Sequence, residues 1–166
     1  MYDFHYSYIR NKYGDDTKLL FTDTDSLAYE IRTDDVYADI KDDIESKLDT
    51  SDYYKDHPLF SIKNKKVIGM FKDEACGKQI EEFVRLRAKL YSYKMHDNGK
   101  EQKKCKGVKK LVVRKTISHE DYKNCLFTGE EQMRRMNVMR SYRHAMYSVE
   151  VNKVALSSEN AKRHIL

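Results

Sequence analysis

Residues 18–31 read KLLFTDTDSLAYEI, two apolar arms joined by the polar tetrapeptide Asp23-Thr24-Asp25-Ser26. The arms, Lys18–Phe21 and Leu27–Ile31, are rich in residues that favour strands, whereas the polar residues between them favour a turn. The stretch therefore predicts an antiparallel β-hairpin that carries two carboxylates at its tip.

Two explanations fit these paired carboxylates. The ordinary one is a solvated polar turn, which accounts for most D-x-D sequences. The other is a divalent-metal site. Two acidic groups this close repel one another, and holding them beside an apolar sheet is costly unless a cation neutralises them. Mg²⁺ prefers such hard oxygen ligands, commonly one or two carboxylates together with substrate phosphates.

Helices are predicted on both sides of the hairpin. Downstream, Asp34–Leu48 has an apolar residue at every fourth position and acidic residues in its first turn, which predicts an amphipathic helix. Residues 49–65 are polar and contain the only proline, so we expect a surface loop. Upstream, a helix over residues 2–13 is predicted to end at Gly14. Its apolar residues at helical spacing are Tyr2, Tyr6, Ile9 and Tyr13.

Strands dominate the prediction for the middle of the chain. The segments with strand composition are Val67–Asp73, Glu81–Arg87, Leu90–Met95 and, after the turn signal HDNG, Glu101–Lys106. Residues 108–127 are predicted to be partly helical, and strand is favoured over helix for Met133–Leu156. The predicted fold class is therefore α+β, with a hairpin and further strands covered by helices.

Composition limits the classes of protein that the chain can represent. With 166 residues, 40% of them hydrophobic, it can bury the core of one domain or of two small subdomains. No apolar run is long enough for a transmembrane helix, and the first residues lack a signal-peptide layout. The three cysteines form no C-x-x-C pair and the six histidines are scattered, which argues against disulfides and structural zinc. We therefore expect an intracellular protein, with nucleus and cytoplasm equally open.

Charge is divided unevenly along the chain. Residues 1–60 contain 15 Asp and Glu against 7 Lys and Arg, whereas residues 61–166 contain 12 against 25. Such a division suggests cation binding at one end and polyanion binding at the other, and the polyanion fits nucleic acid, an acidic protein or an anionic membrane. The densest basic stretch, residues 100–115, is either a solvated face or a surface that follows phosphates. A second cluster fits nucleic-acid contact and improved solubility equally: Arg134, Arg135, Arg140 and Arg143.

Three ordered stretches resemble family B DNA polymerases. Residues 21–26, FTDTDS, resemble the palm motif Y-x-D-T-D-S, except that Phe21 replaces the usual tyrosine and lacks its hydroxyl. Residues 86–91, LRAKLY, resemble the K-x-Y motif that follows in the palm. Residues 104–122 resemble the palm-to-thumb passage of the protein-primed branch, which includes the polymerases of large virus-like DNA transposons and of linear-genome viruses and phages.

The resemblance implies specific roles for the hairpin. Asp25 would be the main metal ligand and Asp23 a second or orienting carboxylate, and Thr24 and Ser26 would shape the turn. The implied reaction is template-directed addition of dNTPs to a primer 3′-hydroxyl with two Mg²⁺ ions. The implied partners are primer-template DNA, dNTP and, in a complete enzyme, a terminal protein. No membrane is among them.

The resemblance also implies domains and a DNA-binding surface. Residues 1–105 would form the C-terminal part of a palm, and residues 106–166 the start of a thumb that binds duplex DNA. Lys89 and Tyr91 would hold the primer strand, although such a pair is otherwise common on surface strands. The basic residues that would follow duplex phosphates are Lys104, Lys106, Lys109 and Lys110.

Two motifs of a complete polymerase are absent from this sequence. They are the upstream D-x-x-S-L-Y-P, which supplies a further metal-binding Asp, and the fingers helix K-x-x-x-N-S-x-Y-G, which contacts the incoming triphosphate. The exonuclease carboxylates are missing as well. We therefore expect a fragment, with Met1 at a point where a longer polymerase continues, that is inactive alone. The alternatives are a transposon-derived remnant that binds DNA or protein through its basic half, and an unrelated metal-binding hairpin domain.

Overall fold

The computed structural model describes residues 1–159. The chain forms two compact units, Met1–Lys78 and a second one that begins at Gln79. Helices and small sheets occur in both, so the predicted α+β class is confirmed. The unit boundary lies upstream of the predicted domain boundary at residues 105/106. The predicted boundary separates the palm from the thumb of a polymerase, whereas the observed one separates compact units. The predicted boundary therefore stays a prediction.

The first unit opens with a helix whose buried face differs from the predicted one. Phe4–Ile9 is π-helical, Arg10–Tyr13 forms helix α1, and Gly14–Asp16 is a 3-10 turn. Tyr2 and Tyr6 are exposed, while Tyr8 and Ile9 are buried. The predicted apolar face is confirmed at Ile9 and wrong at Tyr2 and Tyr6, because a π-turn closes i→i+5 hydrogen bonds and shifts the phase of the side chains. The ring of Phe4 instead stacks on Phe71, with 3.9 Å between ring centroids.

The predicted hairpin is confirmed. Strand β1 is Thr17–Asp23 and strand β2 is Ser26–Ile31, and they pair antiparallel from Thr17↔Ile31 to Asp23↔Ser26. The register shifts between Leu19 and Phe21.

The segment predicted as one helix over Asp34–Leu48 is broken into pieces. Helix α2 is Val36–Ile40, a 3-10 turn covers Lys41–Asp43, and helix α3 is Ile44–Lys47. The side-chain amide of Asn64 donates to the carbonyls of Ile44, Glu45 and Leu48 at 2.9–3.1 Å, and so satisfies the groups that a longer helix would have bonded internally. Helical structure is therefore confirmed for residues 36–47, but the prediction of a single α-helix was wrong.

The predicted strand Val67–Asp73 is also mostly wrong. Only Phe71–Lys72 (β4) is extended, and it pairs in parallel with Leu48–Asp49 (β3). Lys66 and Gly69 have φ values of 60° and 94°, which turn the chain and prevent a continuous strand. The core of this unit is built from Ile44, Tyr53 and Leu59.

The second unit is built around the three predicted strands that follow one another in the sequence. Strands β5 (Ile80–Arg87), β6 (Leu90–Met95) and β7 (Glu101–Cys105) form an antiparallel sheet in the order β5-β6-β7. Helices α4 (Lys110–Thr116) and α5 (His119–Thr128) follow and contact the sheet. The core includes Val84, Leu90, Val113, Tyr122 and Leu156.

The helices and the last strands of this unit begin and end where their sequences favour it. Ser118 and Asp121 form a reciprocal capping box at the start of α5, and Gly129 ends α5 with a left-handed φ of 71°. Strands β8 (Gln132–Tyr142) and β9 (Ala145–Leu156) form a long hairpin, so the strand prediction for Met133–Leu156 is confirmed. In the described part of the chain, no helix combines the length and the apolar character needed to cross a membrane.

Candidate metal hairpin and basic sheet end

The tip of the first hairpin is a two-residue turn. Asp23 pairs with Ser26. The two residues between them, Thr24 and Asp25, therefore connect the strands. The backbone N–H of Asp25 donates to the carbonyl of Asp23 at 2.6 Å, and the Ser26 hydroxyl donates to the same carbonyl at 3.1 Å. The Thr24 hydroxyl donates to Asp23 Oδ1 at 3.3 Å. Neighbouring side chains and backbone therefore hold the turn closed, with Asp25 exposed and Asp23 half-buried.

Thr24 has an unusual backbone conformation for its residue type. Its φ is 52°, in the left-handed region where Gly and Asn are the common residues of two-residue hairpin turns. For a β-branched residue this conformation costs on the order of 1–3 kcal/mol. Such strain is found in proteins where surrounding structure fixes a functional turn, so it is compatible with a site at this tip.

A side chain of strand β2 joins the hairpin to the N-terminal helical segment. The Tyr29 hydroxyl lies 3.0 Å from His5 Nδ1, and the two rings stack with 5.7 Å between centroids. Burial raises the pKa of Tyr29 to about 12, so its hydroxyl remains a neutral hydrogen-bonding group at neutral pH.

The hairpin supplies two carboxylates of the kind that Mg²⁺ prefers, together with turn carbonyls. These donors fit the metal in chemical type and in number, because Mg²⁺ commonly takes one or two carboxylates from a protein and its other ligands from water and phosphate. Within residues 1–159, the structure brings together no group of three or more His, Cys, Asp or Glu suited to a metal ion.

The predicted primer-binding residues lie in the second unit, and several come together at one end of its sheet. Arg87 pairs with Leu90, so Ala88 and Lys89 form a two-residue turn in which Lys89 has a φ of 60°. The backbone N–H of Lys106 donates to the Lys89 carbonyl at 3.1 Å. The K-x-Y stretch and the start of the basic segment are therefore adjacent.

Tyr91 lies beside this turn with its ring mostly covered. It is 7% exposed, and its ring stacks on Phe83 with 6.0 Å between centroids. In the sheet register it lies between Arg85 on β5 and Lys104 on β7. Cross-strand neighbours share a face, so these two cations lie on the same side of the sheet as the ring.

Arg85 is a residue of this surface that sequence reasoning missed. It is exposed and lies directly opposite Tyr91. The signal was present in the run EEFVRLR, because strand alternation puts Phe83 and Arg85 on one face.

The remaining predicted DNA-binding lysines continue from β7 to the next helix. Lys109 is the N-cap of α4 and makes no side-chain capping hydrogen bond, and Lys110 is its first residue. The four lysines predicted to follow phosphates, Lys104, Lys106, Lys109 and Lys110, are all exposed.

The arginine cluster of the sequence divides into two kinds of residue. Arg134 is structural, because its guanidinium donates to the carbonyls of Thr116 and Met133 and to Gln132 Oε1, and it lies 3.6 Å from Asp121 Oδ2. The other members, Arg135, Arg140 and Arg143, are exposed.

Comparison with known proteins adds no relative at this point. No protein-family model matches the chain, no curated protein matches it, and no solved structure does so either. The functional argument therefore depends on the residues and on their geometry.

Proposed function

We propose that the chain is part of a family B DNA polymerase of the protein-primed type, comprising the metal hairpin of the palm and the beginning of the thumb. The observation that carries the proposal is the form of the hairpin. Its D-T-D-S sequence forms a closed two-residue turn, with Asp25 exposed at the tip and Asp23 at the end of β1. An Asp pair with this sequence and this presentation is what the resemblance requires.

In this proposal, Asp25 and Asp23 hold Mg²⁺. Bound Mg²⁺ supplies Lewis-acid chemistry, by which a primer 3′-hydroxyl is activated and the charge of a departing pyrophosphate is stabilised. Thr24 donates to the carboxylate of Asp23 and Ser26 donates to its backbone carbonyl, and these bonds hold Asp23 in place. This chain contributes two of the carboxylates, and the missing D-x-x-S-L-Y-P motif would contribute another.

Lys89 and Tyr91 are proposed to position the primer strand. Lys89 lies at an exposed turn tip, from which an ammonium group can approach a phosphate. Tyr91 is held between Phe83 and the cross-strand cations, an arrangement that keeps a rigid ring beside positive charge. Lys104 and Lys106 extend the positive surface along the same sheet end.

Paramagnetic NMR tests the metal hairpin without requiring catalysis. Sub-stoichiometric Mn²⁺ is expected to broaden the amide signals of residues 23–26 selectively, and Asp25→Asn should remove the effect. The matched control is Asp15→Asn, which removes an exposed carboxylate from the same unit and should leave the broadening intact. Equal broadening at residues 15–16 and 23–26 would mean a general attraction of cations to acidic segments, and would refute the site.

A primer-extension assay tests the expectation that this chain is inactive alone. No extension of a primed template is expected from the purified chain with Mg²⁺ and dNTPs. Extension that is lost on Asp25→Ala would overturn this expectation while supporting the family. An upstream coding region that contains the D-x-x-S-L-Y-P and fingers motifs in frame would support the fragment, and one without them would favour the remnant.

A non-catalytic nucleic-acid-binding module is the second candidate, and charge favours it. Residues 79–166 contain 20 Lys and Arg against 10 Asp and Glu, whereas residues 1–78 contain 12 against 17. DNA affinity that is unchanged by chelation of Mg²⁺ and by Asp25→Asn, together with no selective Mn²⁺ broadening, would favour this candidate over the polymerase.

A further inference from the structure

The hairpin formed by β8 and β9 continues well past the point at which it contributes to the core. Met136 on β8 and Leu156 on β9 are buried, but every residue from Met139 to Ser148 is exposed. We name Met139–Ser148 the distal arm. It contains four cross-strand pairs and a two-residue turn at Arg143-His144, whose φ values are 47° and 65°. Four paired residues extend roughly 13 Å along a strand.

One face of the distal arm combines aromatic rings with guanidinium groups. Arg140 pairs with Tyr147 and Tyr142 pairs with Ala145, so Arg140, Tyr142 and Tyr147 share a face. Tyr142 is 64% exposed and Tyr147 is 46% exposed. The guanidinium carbon of Arg143 lies 5.3 Å from the centroid of the Tyr142 ring. Two exposed rings and two cations therefore occupy a small area.

Charge identifies the kind of partner. Residues 133–153 contain five Lys and Arg against a single acidic residue, Glu150. No ion pair involves Arg140 or Arg143 within the part of the chain that the structure describes. The arm therefore presents uncompensated positive charge beside exposed π-systems, which complements a polyanion that also has aromatic faces.

We propose that the distal arm binds single-stranded nucleic acid, with unpaired bases stacked on Tyr142 and Tyr147 and phosphates held by Arg140 and Arg143. Stacking on exposed aromatic rings with nearby arginines is the general means by which proteins bind unpaired strands without sequence preference. In a duplex, the bases are already stacked on one another and their faces are not available to these rings. An isolated two-stranded ribbon is only marginally stable in water, so a bound strand would also order the arm.

This role does not rest on the proposed polymerase function. The arm lies in the second unit, and Asp23 and Asp25 lie in the first. Asp25→Asn is expected to leave affinity for single strands unchanged. Experiments can therefore refute the metal site and the single-strand site independently of one another.

Fluorescence anisotropy with the full chain tests the proposal. The probes are a labelled oligothymidine of about 12 nucleotides and a labelled duplex of the same length, at matched salt. Tyr142→Ile and Tyr147→Ile, which keep strand-favouring side chains, should each weaken single-strand binding roughly 5- to 150-fold. Duplex binding should change much less.

Tyr54→Ile is the matched control. Tyr54 is also exposed, at 59%, and also has a cation over its ring, with Lys78 Nζ 5.2 Å from the centroid. It lies in the first unit, and its replacement should not alter single-strand affinity. Photo-cross-linking of the unaltered chain to an iodouracil-substituted strand gives a second readout, in which the expected cross-linked residues are Tyr142 and Tyr147.

Each alternative occupant predicts a different result. If the chain binds both probes equally, and if Arg140→Gln weakens this binding while the tyrosine variants do not, then the arm only attracts phosphates. This result would overturn base stacking. Absence of single-strand binding, with concentration-dependent association of the chain that is lost in the tyrosine variants, would identify a second copy of the chain as the occupant. Cross-links that map outside the distal arm would also refute the proposal.

Discussion

Replacing Lys106, Lys109 and Lys110 together by Ala should change the salt dependence of DNA binding more than any other property of the protein. All three side chains are exposed, and none takes part in an ion pair within residues 1–159. Each is therefore able to contact a phosphate. Neutralising three phosphate contacts lowers the slope of log K against log salt by about 2.7. When the salt concentration rises from about 50 to 200 mM, the affinity of the unaltered chain should fall roughly 40-fold more than that of the variant.

The assay is a titration of labelled primer–template duplex by fluorescence anisotropy at several salt concentrations. The matched control variant replaces Lys41, Lys55 and Lys65, which are exposed lysines of the first unit, and so changes the net charge by the same amount. Its slope should equal that of the unaltered chain. If both triple variants reduce the slope equally, net charge alone controls binding and the assignment of the basic sheet end is refuted. An unchanged slope in the first variant would also refute it.

Three further outcomes test individual structural features. Thr24→Asn should raise the free energy of unfolding by about 1 kcal/mol in urea denaturation, since Asn tolerates positive φ, whereas Thr22→Asn on the adjoining strand should lower it. Lys109→Ser should add about 1 kcal/mol by supplying the missing cap of α4, and a decrease would contradict the cap assignment. Burial alone would raise the pKa of Asp49, but hydrogen bonds from the backbone N–H groups of Ser51 and Lys66 outweigh it and hold this pKa below 3.8. The stabilisation from Asp49 should therefore be complete above about pH 4 and lost as the pH falls through the lowered pKa, and Asp49→Asn should flatten this part of the stability profile.

The elements that the sequence predicted well are those whose signals are local. The hairpin over residues 17–31 is determined by strand-favouring arms and a polar turn between them. The sheet of β5, β6 and β7 has short turns that bring each strand back onto its neighbour. In these cases, pairing partners are close in sequence, so composition and alternation were sufficient.

The wrong predictions concern segments whose structure depends on distant residues. The helix predicted over Asp34–Leu48 forms as three short segments, and Asn64, 16 or more positions away, donates to the carbonyls at its end. Leu48 then pairs with Phe71 in a parallel ladder that no local pattern signals. The phase of the N-terminal helix was missed for a related reason. A π-turn has no sequence signature of its own, and contacts such as Phe4 with Phe71 are long-range.

The candidate site was predictable in part. Motif spacing indicated Asp23 and Asp25, and their location at a two-residue turn follows from the hairpin. The proximity of Lys106 to Lys89 was not predictable, because it depends on how β7 returns along β6. Arg85 was missed because a sequence motif does not show which residue of the neighbouring strand lies opposite Tyr91.

The N-terminus of α4 differs from those of α2 and α5. Helix α2 is capped by Asp35, which accepts from two backbone N–H groups, and α5 begins with a complete capping box. Helix α4 instead begins with Lys109 and Lys110 and has no side-chain cap. Cations at a helix N-terminus oppose its dipole by about 0.3–1 kcal/mol each. Two exposed lysines at an N-terminus that has no side-chain cap are therefore locally unfavourable in the free protein. The gain in stability from Lys109→Ser and the loss in DNA affinity from the triple replacement should both arise from this positive charge.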